Sequence, residues 1–248
     1  VGGGLSSWGA IAASVAGAGH RARAVECQDA CAIEVHEGAL LLAVADGAGS
    51  ARLAASGSSI AVAVAMEELR VRAADDLCGA RLVDVFASVR AALEPSGDDD
   101  PLTSLGDRAT TLLVARVSGD AVVTAQVGDG AVVVRRDGAL EVLCPVDRGE
   151  YLNETCFLTS ASWESELRVG VVPAAGIDGI AALTDGLQLV AFDMATGSPH
   201  APFFDPLFSF ASGDGSVDEL ASFLGSDRVA ERTDDDVTLA VAGFRSPC

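Results

Sequence analysis

The sequence predicts an α+β fold of stacked antiparallel sheets with helices outside them, and three observations carry that expectation. Runs of β-branched residues follow one another with only turn-forming residues between them. Segments with apolar residues at helical spacing come in pairs. The strand, helix, strand alternation that marks a parallel sheet is not seen.

Taken in order, "ACAIEV" at 30–35 and "ALLLAVA" at 39–45, joined through His36-Glu37-Gly38, have the spacing of a hairpin. "LAASGSSIAVAVAMEELRVRA" places Ile60, Val64 and Leu69 at helical intervals, and "ARLVDVFASVRAALE" repeats the period with Leu82, Val85, Phe86, Val89 and Leu93. The Pro, Gly and Asp of "PSGDDDPLTSLGD" at 95–107 read as an exposed loop. Beyond it, "TTLLVARV", "AVVTAQV", "AVVVRR" and "ALEVL" are expected to form an antiparallel meander, punctuated by Ser118-Gly119-Asp120, Gly128-Asp129-Gly130 and Asp137-Gly138. "ELRVGVV" and "IAALT" add two strands, "DGLQLVAFDMA" turns helical, and "DVTLAVAGF" is a final strand. Ser216 stands three residues before Glu219, the spacing of a capping box that satisfies free N–H groups at a helix start. No internal repeat or long linker divides the chain, so residues 1–248 are expected to form a single domain.

Composition excludes several classes of function. With 36 acidic against 16 basic residues the formal charge is −20, which repels phosphate backbones and anionic lipid head groups. Neither nucleic acid nor a membrane is therefore an expected partner. Most of these carboxylates, Asp98-Asp99-Asp100 among them, are expected on solvated loops. The six cysteines are scattered without a paired framework and are expected to be free thiols. Three histidines and no second Cys/His pair at zinc spacing argue against zinc. The opening "VGGGLSSWGAIAASVAGAG" lacks a basic start and a long Leu/Ile/Phe stretch, so neither a signal peptide nor a membrane span is expected, and the location is expected to be cytoplasmic.

A few carboxylates break the pattern of a merely acidic surface. Asp46 ends "LLLAVAD", Asp129 ends "VVTAQVGD", Asp185 ends "IAALTD", and Asp235 comes just before "VTLAVAGF"; glycine follows the first three directly. In an antiparallel sheet one strand's start lies beside its neighbour's end, so all four could meet on one rim. Crowded carboxylates repel one another and raise each other's pKa values unless a cation neutralises them. All-oxygen ligation selects a hard cation, Mg²⁺ or Mn²⁺. Bare backbone after the Asp leaves room for an ion and a substrate, and a carbonyl as a further ligand. Asp137-Gly138 and Asp178-Gly179, which follow no apolar run, read as ordinary turns.

"QDA" at 28–30, "VADGAGS" at 44–50, "ATTLLVA" leading into "AQVGDG" at 125–130, "LTDGL" at 183–187 and "DDDVTLAV" at 234–241 resemble, in order, the motifs of the metal-dependent type 2C serine/threonine protein phosphatases of bacterial type. The resemblance implies a four-layer α-β-β-α sandwich, two antiparallel sheets flanked by helix pairs. It implies that Asp46 bridges two metal ions, that Gly47 offers its carbonyl to one of them, and that Asp185 and Asp235 complete the first ion's shell. Asp29 would act through metal-bound water, and Asp129 matches the position of a third, weaker ion. Two divalent ions roughly 3.5 to 4 Å apart can acidify a shared water and neutralise phosphate oxygens during in-line attack. The expected activity is thus hydrolysis of phospho-Ser and phospho-Thr on a protein substrate, counteracting a kinase.

The departures from the family pattern are as informative. Ala48 stands where eukaryotic members have His, leaving the proton donor unassigned. Arg23, nominated to hold phosphate, is offset by one from the family's Arg, with Arg21 and His20 close by. Gln28 replaces a carboxylate of some members, Leu189 a further Asp for the third ion, and Asp236 a common Asn. His20 reads as a hydrogen-bonded loop residue, and Trp8 and Trp163 as core or rim aromatics. A covalent cysteine mechanism lacks its Gly-rich loop and closing Arg. The alternative function is a catalytically silent phosphatase-like domain that regulates or binds a partner. Residues 145–165 are expected to form a flap that shapes substrate choice.

Overall fold

The computed structural model describes residues 7–72, 79–97, 99–144 and 155–245. Strand β1 (Ser7–Val15) and the short helix α1 (Ala18–Ala22) lead into the hairpin of β2 (Asp29–His36) and β3 (Ala39–Asp46). Glu37 and Gly38, both at positive φ, make its two-residue turn. Helices α2 (Ala54–Val71) and α3 (Gly79–Leu93) follow, then β4 (Leu112–Ser118), β5 (Ala121–Val127), β6 (Ala131–Arg136) and β7 (Ala139–Cys144). After α4 (Trp163–Glu166) come β8 (Arg168–Pro173), β9 (Ile177–Leu183), a 3-10 turn over Asp185–Leu187, and α5 (Gln188–Ala191). The short pair β10 (Phe192–Asp193) and β11 (Ser198–Pro199) precedes α6 (Ala201–Ser212), α7 (Val217–Leu224), α8 (Asp227–Ala230) and β12 (Val237–Arg245).

Two five-stranded antiparallel sheets result, ordered β2-β3-β4-β5-β8 and β1-β12-β9-β6-β7. Strand β3 shows why they stack. Its side chains alternate between faces, and both sets are apolar: Leu41, Ala43 and Ala45 meet Ala65, Leu69 and Phe86 of α2 and α3, while Leu40, Leu42 and Val44 meet Val132, Ile180 and Ala240 of the second sheet. On the far side of that sheet, Val133, Leu183 and Leu239 pack against Phe204 and Phe208 of α6 and Leu220 of α7. Three apolar layers thus separate helix pair, sheet, sheet and helix pair, the expected four-layer sandwich.

Helix α6 rests on a lane cleared of side chains. Gly9, Gly243 and Gly179 face one another across β1, β12 and β9. A Cβ at Gly9 would sit 2.0 Å from the Ala211 carbonyl oxygen, at Gly243 2.1 Å from that of Phe208, and at Gly179 2.6 Å from the Phe208 ring. The row lets helix and sheet approach more closely than any side chain permits.

Several expectations need correcting. The four strands from 110 to 143 are not one meander, because β4 and β5 pair in one sheet and β6 and β7 in the other. Gly128-Asp129-Gly130 is the crossover between sheets, and Gly128 has φ +116°, a conformation that L side chains rarely adopt. Asp178-Gly179 lies inside β9, where Asp178 pairs with Arg135 at 2.7 Å, whereas Asp137-Gly138 is the expected turn. The helix expected over 185–195 ends at Ala191 and gives way to β10. Strand β1 and helices α1 and α6 were not anticipated. Cys27, Cys31, Cys144 and Cys156 are free; Cys78 and Cys248 lie outside the described residues. Among the described residues no helix is long and apolar enough to cross a membrane.

Candidate metal centre

The carboxylates collect where strand ends of both sheets meet. Asp29 opens β2 and lies in register with Asp46 at the end of β3, so the hairpin sets two acids face to face. The Thr110-Thr111 pair fixes the backbone of Asp46: Thr111 N–H and Thr110 Oγ1 donate to the Asp46 carbonyl at 2.8 and 2.9 Å, and Asp46 N–H donates to Thr111 Oγ1 at 2.9 Å. Gly47 N–H donates to the Gln28 carbonyl at 3.1 Å, and a Cβ there would lie 2.5 Å from the Ala54 oxygen. Glycine is therefore required for α2 to close against the β3 end.

Asp129 comes from the crossover between the sheets and Asp185 from the end of a second-sheet strand. The Asp129 carbonyl accepts from Gln188 Nε2 at 2.9 Å, and Gln126 Nε2 bonds the carbonyls of Gly128 and Gly130, so the crossover is pinned from both ends. Asp185 follows β9, and a Cβ on Gly186 would come within 1.9 Å of the Asp236 carbonyl oxygen. One oxygen each from Asp46, Asp129 and Asp185 lies within 4.8 Å of the others. Asp235 borders the same cleft, of about 140 Å³, together with His20, Gln28, Gly47, Thr155 and Phe157.

Crowding and burial mark the cluster electrostatically. Burial, then the charges of Asp29, Asp185, Asp235 and Asp129, pushes Asp46 up to about 10. Asp29 is pushed up to about 7, chiefly by burial and against hydrogen bonds from Thr184 and Thr238. Asp185 is pushed up to about 6 by burial and by Asp129 and Asp235. Without a cation, burial first and mutual repulsion second favour the protonated forms of these acids. Two buried acceptors in it, Asp129 Oδ1 and Gln28 Oε1, have no hydrogen-bond partner. Unpaired oxygens among clustered carboxylates fit a hard divalent cation, whose charge would replace the retained protons.

Other candidates are placed differently. Arg23 is exposed at the end of α1, its Nε donating to the Gly19 carbonyl at 3.0 Å, and it is not among the cleft's lining residues. Leu189 is half exposed. Residues 145–154 of the expected flap lie outside the described residues, but Thr155 Oγ1 donates to Asp129 Oδ2 at 2.7 Å. That link was not anticipated, since an isolated Thr in a loop carries no pattern. A larger cavity of about 930 Å³ lies between α6, α7 and α8. Its mainly apolar lining contains none of the clustered acids, so the chemistry belongs to the smaller cleft.

Comparison with known proteins agrees with this geometry. Residues 16–225 match the family described as Protein phosphatase 2C. Serine/threonine-protein phosphatase 3 of Escherichia coli (strain K12) is 34% identical over 252 residues, which cover 95% of this chain and 98% of that one. Two solved structures share the fold. Serine/threonine phosphatase Stp1 from Staphylococcus aureus has a TM-score of 0.64 at 15% identity, over 97% of this chain and 96% of that one. The catalytic domain of the serine threonine protein phosphatase PstP, in complex with 2 manganese ions, has a TM-score of 0.62 at 20% identity, over 96% and 99%. Three oxygens converging from two sheets, in the order of the family's motifs, thus coincide with a family match along most of the sequence: the chain belongs to the protein phosphatase 2C family and is a metal-dependent protein phosphatase.

Proposed function

We propose that Mg²⁺ or Mn²⁺ is held by Asp46, the Gly47 carbonyl, Asp185 and Asp235, with a third, weaker ion at Asp129, and that the substrate is a phospho-Ser or phospho-Thr protein modified by a partner kinase. The observation that carries this reading is the convergence of Asp46, Asp129 and Asp185 to within 4.8 Å. Bound dications would neutralise phosphate oxygens and acidify a water for in-line attack on phosphorus.

The chain's own part is to present acceptors rigidly. Thr110 and Thr111 lock the end of β3 so that Asp46 cannot swing away from Asp185. Thr184 Oγ1 donates to Asp29 Oδ2 at 2.8 Å, which fixes the buried carboxyl beside Asp46 as a proton acceptor for water. The small cleft and bare Gly47 admit a phosphate on an exposed side chain rather than a large buried ligand. Because the cluster draws on both sheets, we take residues 1–248 to act as one domain. A cytoplasmic site of action suits the free thiols of Cys27, Cys31, Cys144 and Cys156.

The test is hydrolysis of p-nitrophenyl phosphate with Mn²⁺, with Mg²⁺ and with excess chelator. Turnover is expected with metal and abolished by chelator, and Asp46→Asn should abolish it while the protein stays folded. Activity indifferent to chelator would remove the reading.

A further inference from the structure

Hydrolysis of a serine phosphate leaves an alkoxide, a strong base that departs slowly unless a proton reaches it as the bond breaks. The position after Asp46-Gly47 offers nothing for this, because Ala48 is buried and its N–H is spent on the Ala109 carbonyl at 2.9 Å. Of the cleft's lining side chains, Asp46 and Asp235 belong to the cation cluster and the Thr155 hydroxyl is engaged with Asp129. His20 is different.

His20 projects from α1 into the cleft lining, and its Nδ1 lies 2.8 Å from Asp236 Oδ1. Asp236 is itself immobile. It is 3% exposed, Gly17 N–H donates to its Oδ1 at 2.7 Å, and Gln28 N–H donates to its Oδ2 at 2.6 Å. Helix α1 is seated by the Gly19 N–H on the Asp234 carbonyl at 3.0 Å, and a Cβ at Gly17 would lie 2.2 Å from the Asp235 oxygen and 2.3 Å from that of Asp234. The residues on either side of the metal-cluster acid Asp235 therefore hold the imidazole in one orientation, Asp234 by seating α1 and Asp236 by bonding the ring. With Nδ1 taken, Nε2 is the ring nitrogen available to a bound phosphoester. A carboxylate behind an imidazole fixes its tautomer and its orientation.

We propose that His20, oriented by Asp236, is the general acid that protonates the leaving serine or threonine oxygen. As the attacking water oxygen bonds to phosphorus, the P–O bond to the side-chain oxygen breaks and its electron pair stays on that oxygen. The proton on His20 Nε2 passes to it, freeing the hydroxyl. The water's surrendered proton, or one from solvent, restores the imidazole. This inference rests on the phosphatase reading and adds to it the residue that completes the proton balance.

The experiment compares two phosphoesters on the Mn²⁺-loaded full chain. p-Nitrophenolate is a stable anion and gains little from a proton donor; a phosphoserine peptide depends on one. His20→Gln, with His20→Ala as a second replacement, is expected to lower kcat on the peptide by about 10²-fold, with a loss at least tenfold smaller on p-nitrophenyl phosphate and KM shifted far less than kcat. Calorimetry should find that both variants take up Mn²⁺ with the wild-type stoichiometry. Equal losses on the two esters, or full peptide turnover in either variant, would overturn the assignment. A wild-type protein that hydrolyses neither ester would strike the phosphatase reading itself.

Discussion

Filling the carboxylate cluster with metal must expel protons, and the way that release changes with pH follows from the site. Burial and neighbouring carboxylates push Asp46 up to about 10, Asp29 up to about 7 and Asp185 up to about 6, so Asp46 is the acid that holds its proton most firmly at pH 7. Ligands bind a cation deprotonated, so saturation with Mn²⁺ at pH 7 should release protons, chiefly from Asp46. The release should grow as pH falls towards 5, where Asp29 and Asp185 also retain protons, and shrink as pH rises towards 8. Calorimetric titrations of Mn²⁺ in buffers of different ionisation enthalpy measure this directly as the slope of heat against buffer enthalpy. The same shifts set the stability of the metal-free protein. Each folded pKa lies above its unfolded value near 3.8, so the proton's stabilising contribution is full below pH ~4 and is lost as pH rises through the folded values. The thermal midpoint of chelated protein should therefore fall between about pH 5 and pH 9, and Mn²⁺ should reverse the fall. A slope of zero at pH 7, or release that grows with pH, would refute the reasoning.

Two substitutions test the packing that places the cluster. Phe86→Ala removes a fully buried ring between α3 and the first sheet and should cost about 3 to 5 kcal/mol in urea denaturation, with little change in Mn²⁺ affinity of the folded fraction. Gly179→Ala drives a Cβ toward the Phe208 ring at 2.6 Å and should cost about 1 to 3 kcal/mol, whereas Gly138→Ala, with open space around it, should lose less and only through its positive φ.

What the sequence revealed depended on contrast between neighbouring residues. Strand β3 and its closing Asp46 were legible because seven apolar residues end abruptly on an acid and a glycine, and the capping box at Ser216 because its spacing is fixed by helix geometry. Strand β1 was not, since Ala10, Ala12 and Ala13 contribute small side chains to both faces and leave no alternation to read. Helix α6 was hidden by Pro202 and Pro206, although Phe203, Phe204, Leu207, Phe208 and Ala211 form a buried face at helical spacing. The crossover at Gly128-Asp129-Gly130 looks locally like any hairpin turn; that β6 leaves for the other sheet is decided by partners far away in the chain. At the site, acids at strand ends could be listed from sequence, but not the Asp236 clamp on His20, because its three donors come from residues more than 200 positions away.

Anomalous diffraction from crystals grown with Mn²⁺ tests the central claim most directly. Two peaks should appear in the cleft, each within coordination distance of Asp46 or the Gly47 carbonyl, with Asp185 and Asp235 around one of them. Crystals that show no anomalous peak beside Asp46 at saturating Mn²⁺ would contradict it.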